Sequence, residues 1–219
     1  MRKKVLEWVQ REKIIAIVRG VSSEKCLRVA EALYVGGIRL MEITYDQKAP
    51  ESWQATAEAI ESIAKQYVGR MLVGAGTVTN IELVELTAKH GGSFIVSPDT
   101  NLGVIKRTSE LGMASFPGAM TPTEIKISHD AGADMVKVFP AGNLGVGYMK
   151  SVKAPLSHIK LLAVGGINEK NAAEYLRAGA VGVGVGGNLA KAEWINGGEF
   201  DKLAEAARLL VSAVRTEDK

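Results

Sequence analysis

Two charged residues interrupt aliphatic runs that otherwise read as buried strand. Lys137 lies in Asp134-Met135-Val136-Lys137-Val138-Phe139-Pro140, and Glu42 lies in Arg39-Leu40-Met41-Glu42-Ile43-Thr44. Two-residue alternation puts Met135, Lys137 and Phe139 on one face of the first run and Val136 and Val138 on the other. If the valines pack under helices, Lys137 points the opposite way, into the interior. Desolvation there lowers the pKa of an ammonium and leaves more of the free amine that attacks carbonyls. The competing account is a lysine snorkelling to a rim and paired with a carboxylate. Glu42 shares a face with Leu40 and Thr44. A carboxyl at a strand end can shuttle protons between substrate, amine and water. It can equally make a structural salt bridge to a lysine, Lys137 among the candidates, and the two roles are compatible because such a pair tunes both pKa values.

Two glycine pairs form a second constellation, in Val164-Gly165-Gly166-Ile167 and Gly184-Val185-Gly186-Gly187-Asn188. Paired glycines let backbone N–H groups approach an anion closely, and a helix N-terminus behind them adds a favourable dipole. Other chemistries find no support. The three histidines, His90, His129 and His158, fall in or beside expected helices, so a metal site is not expected. Cys26 falls on the apolar face of an expected helix, as a small hydrophobe rather than a nucleophile. No serine nucleophile elbow and no G-x-G-x-x-G between strand and helix is present, so neither a serine hydrolase nor a dinucleotide site is expected.

The elements that must carry these residues repeat one phrase, a helical stretch ending in Gly followed by a short aliphatic run. It occurs as YVGGIRLMEI (34–43), AKHGGSFIVS (88–97), SELGMASF (109–116), HDAGADMVKVF (129–139) and LRAGAVGVGV (176–185). Glycine at a helix C-terminus takes the left-handed conformation without a Cβ penalty, so each phrase marks a helix stop and a strand start. KIIAIV (13–18), RMLVG (70–74) and KLLAV (160–164) bring the expected strands to eight. Helix starts are expected at two capping boxes, Thr79-Asn80-Ile81-Glu82 and Thr121-Pro122-Thr123-Glu124, the second with Pro at the first helical position. Asn168 is the expected N-cap of the helix running through Leu176. Aliphatic strands alternating with amphipathic helices mean a parallel sheet covered by helices. Eight units in about 200 residues favour a single (β/α)8 TIM barrel with an N-terminal helix over a doubly wound sheet. In such a barrel chemistry gathers at the strand C-termini, and the loops after the last two strands hold phosphate. No linker or charge run divides the chain, so residues 1–219 are expected to form one domain.

Composition narrows the partners. The chain has 219 residues, and a net charge of +3 without a basic stripe gives no reason to expect nucleic acid. The start, MRKKVLEWVQREK, is charged and does not read as a signal peptide, and no apolar stretch approaches the roughly 20 residues of a membrane helix. A lone cysteine fits a reducing, cytoplasmic setting.

Read together, several segments resemble one family. They are Gly37-Ile38-Arg39-Leu40-Met41-Glu42-Ile43-Thr44, Gly74-Ala75-Gly76-Thr77-Val78, Phe94-Ile95-Val96-Ser97-Pro98, and Pro117-Gly118 leading into Thr121-Pro122-Thr123-Glu124. Lys137-Val138-Phe139-Pro140-Ala141, Gly165-Gly166-Ile167 and Val183-Gly184-Val185-Gly186-Gly187-Asn188-Leu189 continue the match. The chain resembles, over nearly its whole length, the class I aldolases for 2-keto-3-deoxy-6-phosphogluconate and 4-hydroxy-2-oxoglutarate. The resemblance implies Lys137 as the Schiff-base lysine and Glu42 as general acid/base. It implies that Thr77, Pro98 and Phe139 shape a pyruvyl pocket, and that Gly165, Gly166, Gly186, Gly187 and Asn188 hold the substrate phosphate. It further implies catalysis with no metal or organic cofactor, and a homotrimer.

Two departures bear on the substrate. Phosphogluconate-specific members often carry Arg four residues after the strand glutamate, where this chain has Asp46. Many have Pro-Thr before the Gly-Gly pair, where this chain has Ala163-Val164. Ala-Val there, with Arg19-Gly20 at the end of the first strand, looks more like the related 6-phosphogalactonate aldolases. Arg19 is therefore either a substitute ligand for the substrate carboxylate or a rim arginine in a structural pair. The expected reaction is cleavage of 2-keto-3-deoxy-6-phosphogluconate to pyruvate and glyceraldehyde 3-phosphate, with 4-hydroxy-2-oxoglutarate as a second substrate giving pyruvate and glyoxylate. The alternatives are the galactonate epimer, a phosphate-binding barrel isomerase or epimerase, and a barrel that binds a phosphorylated ligand without catalysis.

Overall fold

A computed structural model describes residues 1–215. Nine strands form one sheet, all in parallel: β1 (Ile14–Val18), β2 (Leu40–Thr44), β3 (Leu72–Gly76), β4 (Phe94–Val96), β5 (Ala114–Phe116), β6 (Gly118–Ala119), β7 (Val136–Val138), β8 (Leu161–Val164) and β9 (Ala180–Val185). Their order is β5-β4-β3-β2-β1-β9-β8-β7-β6. The sequence pattern misses β6. Pro117 alone separates it from β5; proline has no N–H to give the ladder, but its carbonyl still accepts from Lys137 N at 2.8 Å. β5 and β6 are thus one strand bent at Pro117, and through it the two ends of the sheet meet in a nearly closed (β/α)8 barrel.

Helices α1 (Arg2–Glu12), α2 (Ser23–Val35), α3 (Trp53–Gln66), α4 (Ile81–Lys89), α5 (Leu102–Glu110), α6 (Pro122–Asp130), α7 (Ala141–Lys153), α8 (Ala172–Arg177), α9 (Ala192–Gly197) and α10 (Phe200–Arg215) complete the fold. The Thr121–Glu124 capping box forms, with Pro122 in the first turn of α6. The other two starts are corrected. Asn80, not Thr79, caps α4, accepting from Leu83 N at 3.0 Å, while the Thr79 hydroxyl turns away to Gln47. Asn168 closes an Asx turn onto Lys170 N at 2.9 Å, and α8 begins only at Ala172. The left-handed Gly165 and Gly166 turn the chain after β8, and the Asn168 turn follows before the helix starts.

Strand alternation sorts the core into two layers. Val136, Val138, Met41 and Ile43 face the helices. Ile15, Leu40, Leu72, Phe94, Phe116, Met135 and Leu162 fill the lumen, with the Phe94 and Phe116 rings 5.7 Å apart. Helix α1 lays Val5 and Val9, both fully buried, against this inner layer. Arg2 ties it down: its Nε reaches the Asp134 carboxylate at 2.8 and 3.0 Å, and Nη1 reaches the Ser109 hydroxyl at 2.8 Å. The lumen is solid at this end, which leaves the strand C-termini as the open face.

Candidate active site

Above the last lumen layer the apolar side chains give way to polar ones. Glu42 on β2 and Lys137 on β7 both point inward, as their parity requires, and are 2% and 6% exposed. A cavity of about 660 Å³ opens over them. Every site residue expected from the sequence lines it: Arg19, Glu42, Thr77, Pro98, Lys137, Phe139, Gly165, Gly166, Gly186, Gly187 and Asn188. Ile17, Val164, Ile167 and Gly184 complete the wall, and sequence reasoning had not assigned them to the site. Ile17 was findable, since on β1 it shares the inward face with Ile15, two residues nearer the open end.

Burial dominates the electrostatics of the pair. It pushes the Glu42 carboxyl up to about 7, against the opposing pull of Lys137 and Arg19. It pushes the Lys137 ammonium below its ordinary 10.5, helped by Arg19 and opposed by Glu42 and Asp99. Among the described residues no ion pair within 4.0 Å joins Glu42 to Lys137, so neither charge is neutralised by direct contact. Desolvation therefore favours a neutral amine beside a carboxyl that titrates near neutral pH, the two states that carbonyl addition and proton shuttling require. The Lys137 Nζ lies 4.8 Å from the centre of the Phe139 ring, which walls the amine on one side.

The glycine pairs meet on the same cavity, Gly165 lying against the Phe139 ring. Gly165 and Gly166 both hold positive φ, 92° and 76°. Gly142, at the start of α7, donates to Gly165 O at 2.7 Å, and the Asn188 amide donates to Ile167 O at 2.9 Å, clasping the two loops together. One N–H of that side-chain amide thus holds the cradle together. Among the described residues nothing accepts from the backbone N–H of Gly166, Gly187 or Asn188, and an anion there would find them free. The expected helix directly behind the second pair is a single turn closed by Leu189 N and Ala190 N on Gly186 O, with α9 starting only at Ala192.

Arg19 is exposed on the cavity rim and forms no hydrogen bond or ion pair among the described residues. Asp46 lies outside this cavity, on a neighbouring one of about 750 Å³ that shares Arg19 and Thr77. The histidines are elsewhere: His90 ends α4 with Nδ1 at 2.9 Å from Leu86 O, and the His129 and His158 rings meet edge to face with centres 5.3 Å apart. Among the described residues no three His, Cys, Asp or Glu side chains cluster as a metal site, and no helix is long and apolar enough to cross a membrane. Cys26 is buried, which pushes its thiol up to about 11 and away from reactivity.

Residues 5–206 match the model of one family, described as KDPG and KHG aldolase. The chain belongs to that aldolase family. It is therefore a carbon–carbon lyase. Among curated relatives, the 2-dehydro-3-deoxy-6-phosphogalactonate aldolase of Escherichia coli (strain K12) is 34% identical over 211 residues, covering 96% of this chain and 98% of the relative. The 2-dehydro-3-deoxy-phosphogluconate aldolase of Treponema pallidum (strain Nichols) is 31% identical, covering 96% and 97%. Among solved structures, a KDPG aldolase from Legionella pneumophila, with pyruvate captured at low pH as a covalent carbinolamine intermediate, superposes with a TM-score of 0.81. It is 25% identical, covering 91% of this aldolase and 94% of that chain.

Proposed function

We propose that this aldolase cleaves a 2-keto-3-deoxy-6-phospho sugar acid through a Schiff base on Lys137. The neutral amine adds to the C2 carbonyl, and the carbinolamine loses water, with Glu42 passing the protons, to give an iminium. Loss of the C4 hydroxyl proton then breaks the C3–C4 bond. Its electron pair flows into the iminium, leaving an enamine of pyruvate and releasing glyceraldehyde 3-phosphate. Protonation of the enamine carbon and hydrolysis of the resulting iminium return the free lysine and pyruvate. The observation that carries this reading is the placement of a desolvated lysine and a desolvated glutamate in one cavity that a glycine cradle also lines. Thr77, Pro98 and Phe139 enclose the pyruvyl end, and the cradle at Gly165, Gly166, Gly186, Gly187 and Asn188 takes the phosphate.

The gluconate and galactonate substrates differ only in configuration at C4. Arg19 and Val164, both on the cavity, belong to the pattern resembling the galactonate enzymes, and Asp46 lies off it where gluconate-specific members carry Arg, so the galactonate epimer stands as the second reading beside the gluconate one. 4-Hydroxy-2-oxoglutarate lacks the phosphate and leaves the cradle unused, which makes it the poorer substrate. By the same resemblance the working form is a cytoplasmic homotrimer.

Borohydride reduction in the presence of pyruvate, followed by peptide mass analysis, tests the chemistry. The expected adduct lies on the peptide bearing Lys137, and its absence would sink the proposal. Comparison of kcat/KM on the three substrates then ranks them.

A further inference from the structure

Thr77 closes the end of β3 in a conformation that its side chain disfavours. It is one of two non-glycine residues, among those described, with positive φ (57°); the other is Lys13, at the end of α1. For a β-branched residue the left-handed region is an outlier that persists only where the surroundings hold it. The main-chain ladder between β2 and β3 ends where Tyr45 N donates to Gly76 O at 3.0 Å. Two residues on, the Gln47 side chain continues it. Its Nε2 donates to Thr77 O at 2.9 Å, and its Oε1 accepts from the Thr79 hydroxyl at 2.8 Å. One amide thus clips both sides of the turn, using its donor for one and its acceptor for the other. The consequence reaches the chemistry through Gly76. A Cβ at that position would stand 2.3 Å from Glu42 Oε1, so the backbone just before Thr77 is the wall against which the carboxyl rests.

We propose that Gln47 is a positioning residue of the aldol site: it clamps Thr77 in the left-handed conformation, keeps it on the cavity with Lys137, and fixes the wall behind Glu42. Gln47 touches no reacting atom. Its chemistry is nonetheless specific, because position 47 must donate to a carbonyl and accept from a hydroxyl at a glutamine's reach. Glutamate keeps the acceptor and loses the donor.

This inference rests on the Schiff-base reading, and one set of variants tests the two separately. Gln47→Ala and Gln47→Glu are made alone, and Gln47→Ala also with Thr77→Gly; the readouts are the pyruvate concentration that half-saturates borohydride trapping, kcat/KM in cleavage, and Tm. Both single variants are expected to raise the half-saturating pyruvate roughly 3- to 10-fold, the range of one hydrogen bond, with Tm near the parent value because the side chain is exposed. In the Thr77→Gly background, where glycine adopts positive φ freely, Gln47→Ala is expected to add nothing. Parent-like trapping by Gln47→Glu, additive effects in the double variant, or a lowered Tm with unchanged pyruvate saturation would each overturn the proposal. A parent protein that traps no pyruvate overturns the Schiff-base reading itself, and this one with it.

Discussion

Gly76 on β3 lies flush against the carboxyl of Glu42 on β2, with no room for a methyl group between them: a Cβ would stand 2.3 Å from Oε1 and 2.8 Å from the carboxyl carbon. The register pairs Thr44 with Gly76 and Glu42 with Gly74, so glycines line the strand facing the glutamate at both levels.

Gly76→Ala is therefore expected to displace the Glu42 carboxyl while leaving the barrel folded. A shift approaching an ångström at a proton-transfer group lowers kcat by about 100-fold. Steady-state kinetics beside a circular dichroism spectrum check it; a parent-like kcat would mean that the carboxyl has no fixed place.

Glu42→Gln is expected to lower kcat by about 100-fold or more, with a much smaller change in pyruvate saturation. The same variant has a stability signature. The carboxyl is raised from 4.5 to about 7 on folding, so the folded state binds its proton more tightly than the unfolded chain does. Its contribution is fully present below about pH 4.5 and is lost as pH rises through about 7. Glutamine cannot ionise, so the variant gains stability relative to the parent on going from pH 4.5 to pH 8, by on the order of 1–3 kcal/mol. Urea melts at the two pH values measure it.

Arg19→Ala removes a cation that lowers the pKa of both Glu42 and Lys137. Both are expected to titrate at higher pH in the variant, so the acid limb of pyruvate trapping, where the amine is protonated, moves upward. If Arg19 also holds the substrate carboxylate, KM rises roughly 10- to 100-fold, the range of a charge-assisted hydrogen bond. An unmoved pH profile with an unchanged KM would leave Arg19 a rim residue.

Gly166→Ala tests the phosphate cradle. The residue holds φ at 76°, and an added Cβ would meet Gly142 Cα at 3.1 Å. The expected result is a KM raised about 10-fold for a phosphorylated substrate and unchanged for 4-hydroxy-2-oxoglutarate, which has no phosphate to lose. Equal loss on both substrates would mean that the cradle does not read phosphate.

Arg2→Ala removes the ties between α1 and the Asp134 carboxylate, which is largely buried. Stability is expected to fall by about 1–3 kcal/mol, a Tm drop of several degrees, with kcat close to the parent's. Asp134 keeps its bond from Ser115 N at 3.0 Å, which limits the damage.

The legible parts of this fold were those written in single residues against a plain background. Helix-stopping glycines ahead of aliphatic runs marked five strands and aliphatic runs alone three more, and one charge inside such a run marked Glu42 and Lys137. What stayed hidden depends on geometry between segments. Thr79 and Asn80 are both good caps, and the choice between them is made by Gln47, some thirty residues away, which engages the threonine hydroxyl. That the Asn188 side chain also ties its loop to Ile167 O is likewise invisible in sequence. The two-residue β6 shows no pattern at all, because its pairing is set by the bend at Pro117. Gln47 itself sits in an exposed loop, and nothing in its neighbourhood of sequence announces a backbone two strands' ends away.

The filled lumen has one more consequence, for how molecules come and go. With α1 and the phenylalanines stopping the far end, molecules reach Lys137 through the cavity at the strand C-termini and leave the same way. On the proposed mechanism pyruvate is the fragment held at the bottom, and the phosphorylated aldehyde stands between it and solvent. The aldehyde must depart before pyruvate is released, and in the synthetic direction pyruvate must be loaded first. The covalent enamine imposes that order on the chemistry, and the plug, at the opposite end of the molecule from any reacting atom, gives both fragments the same route out.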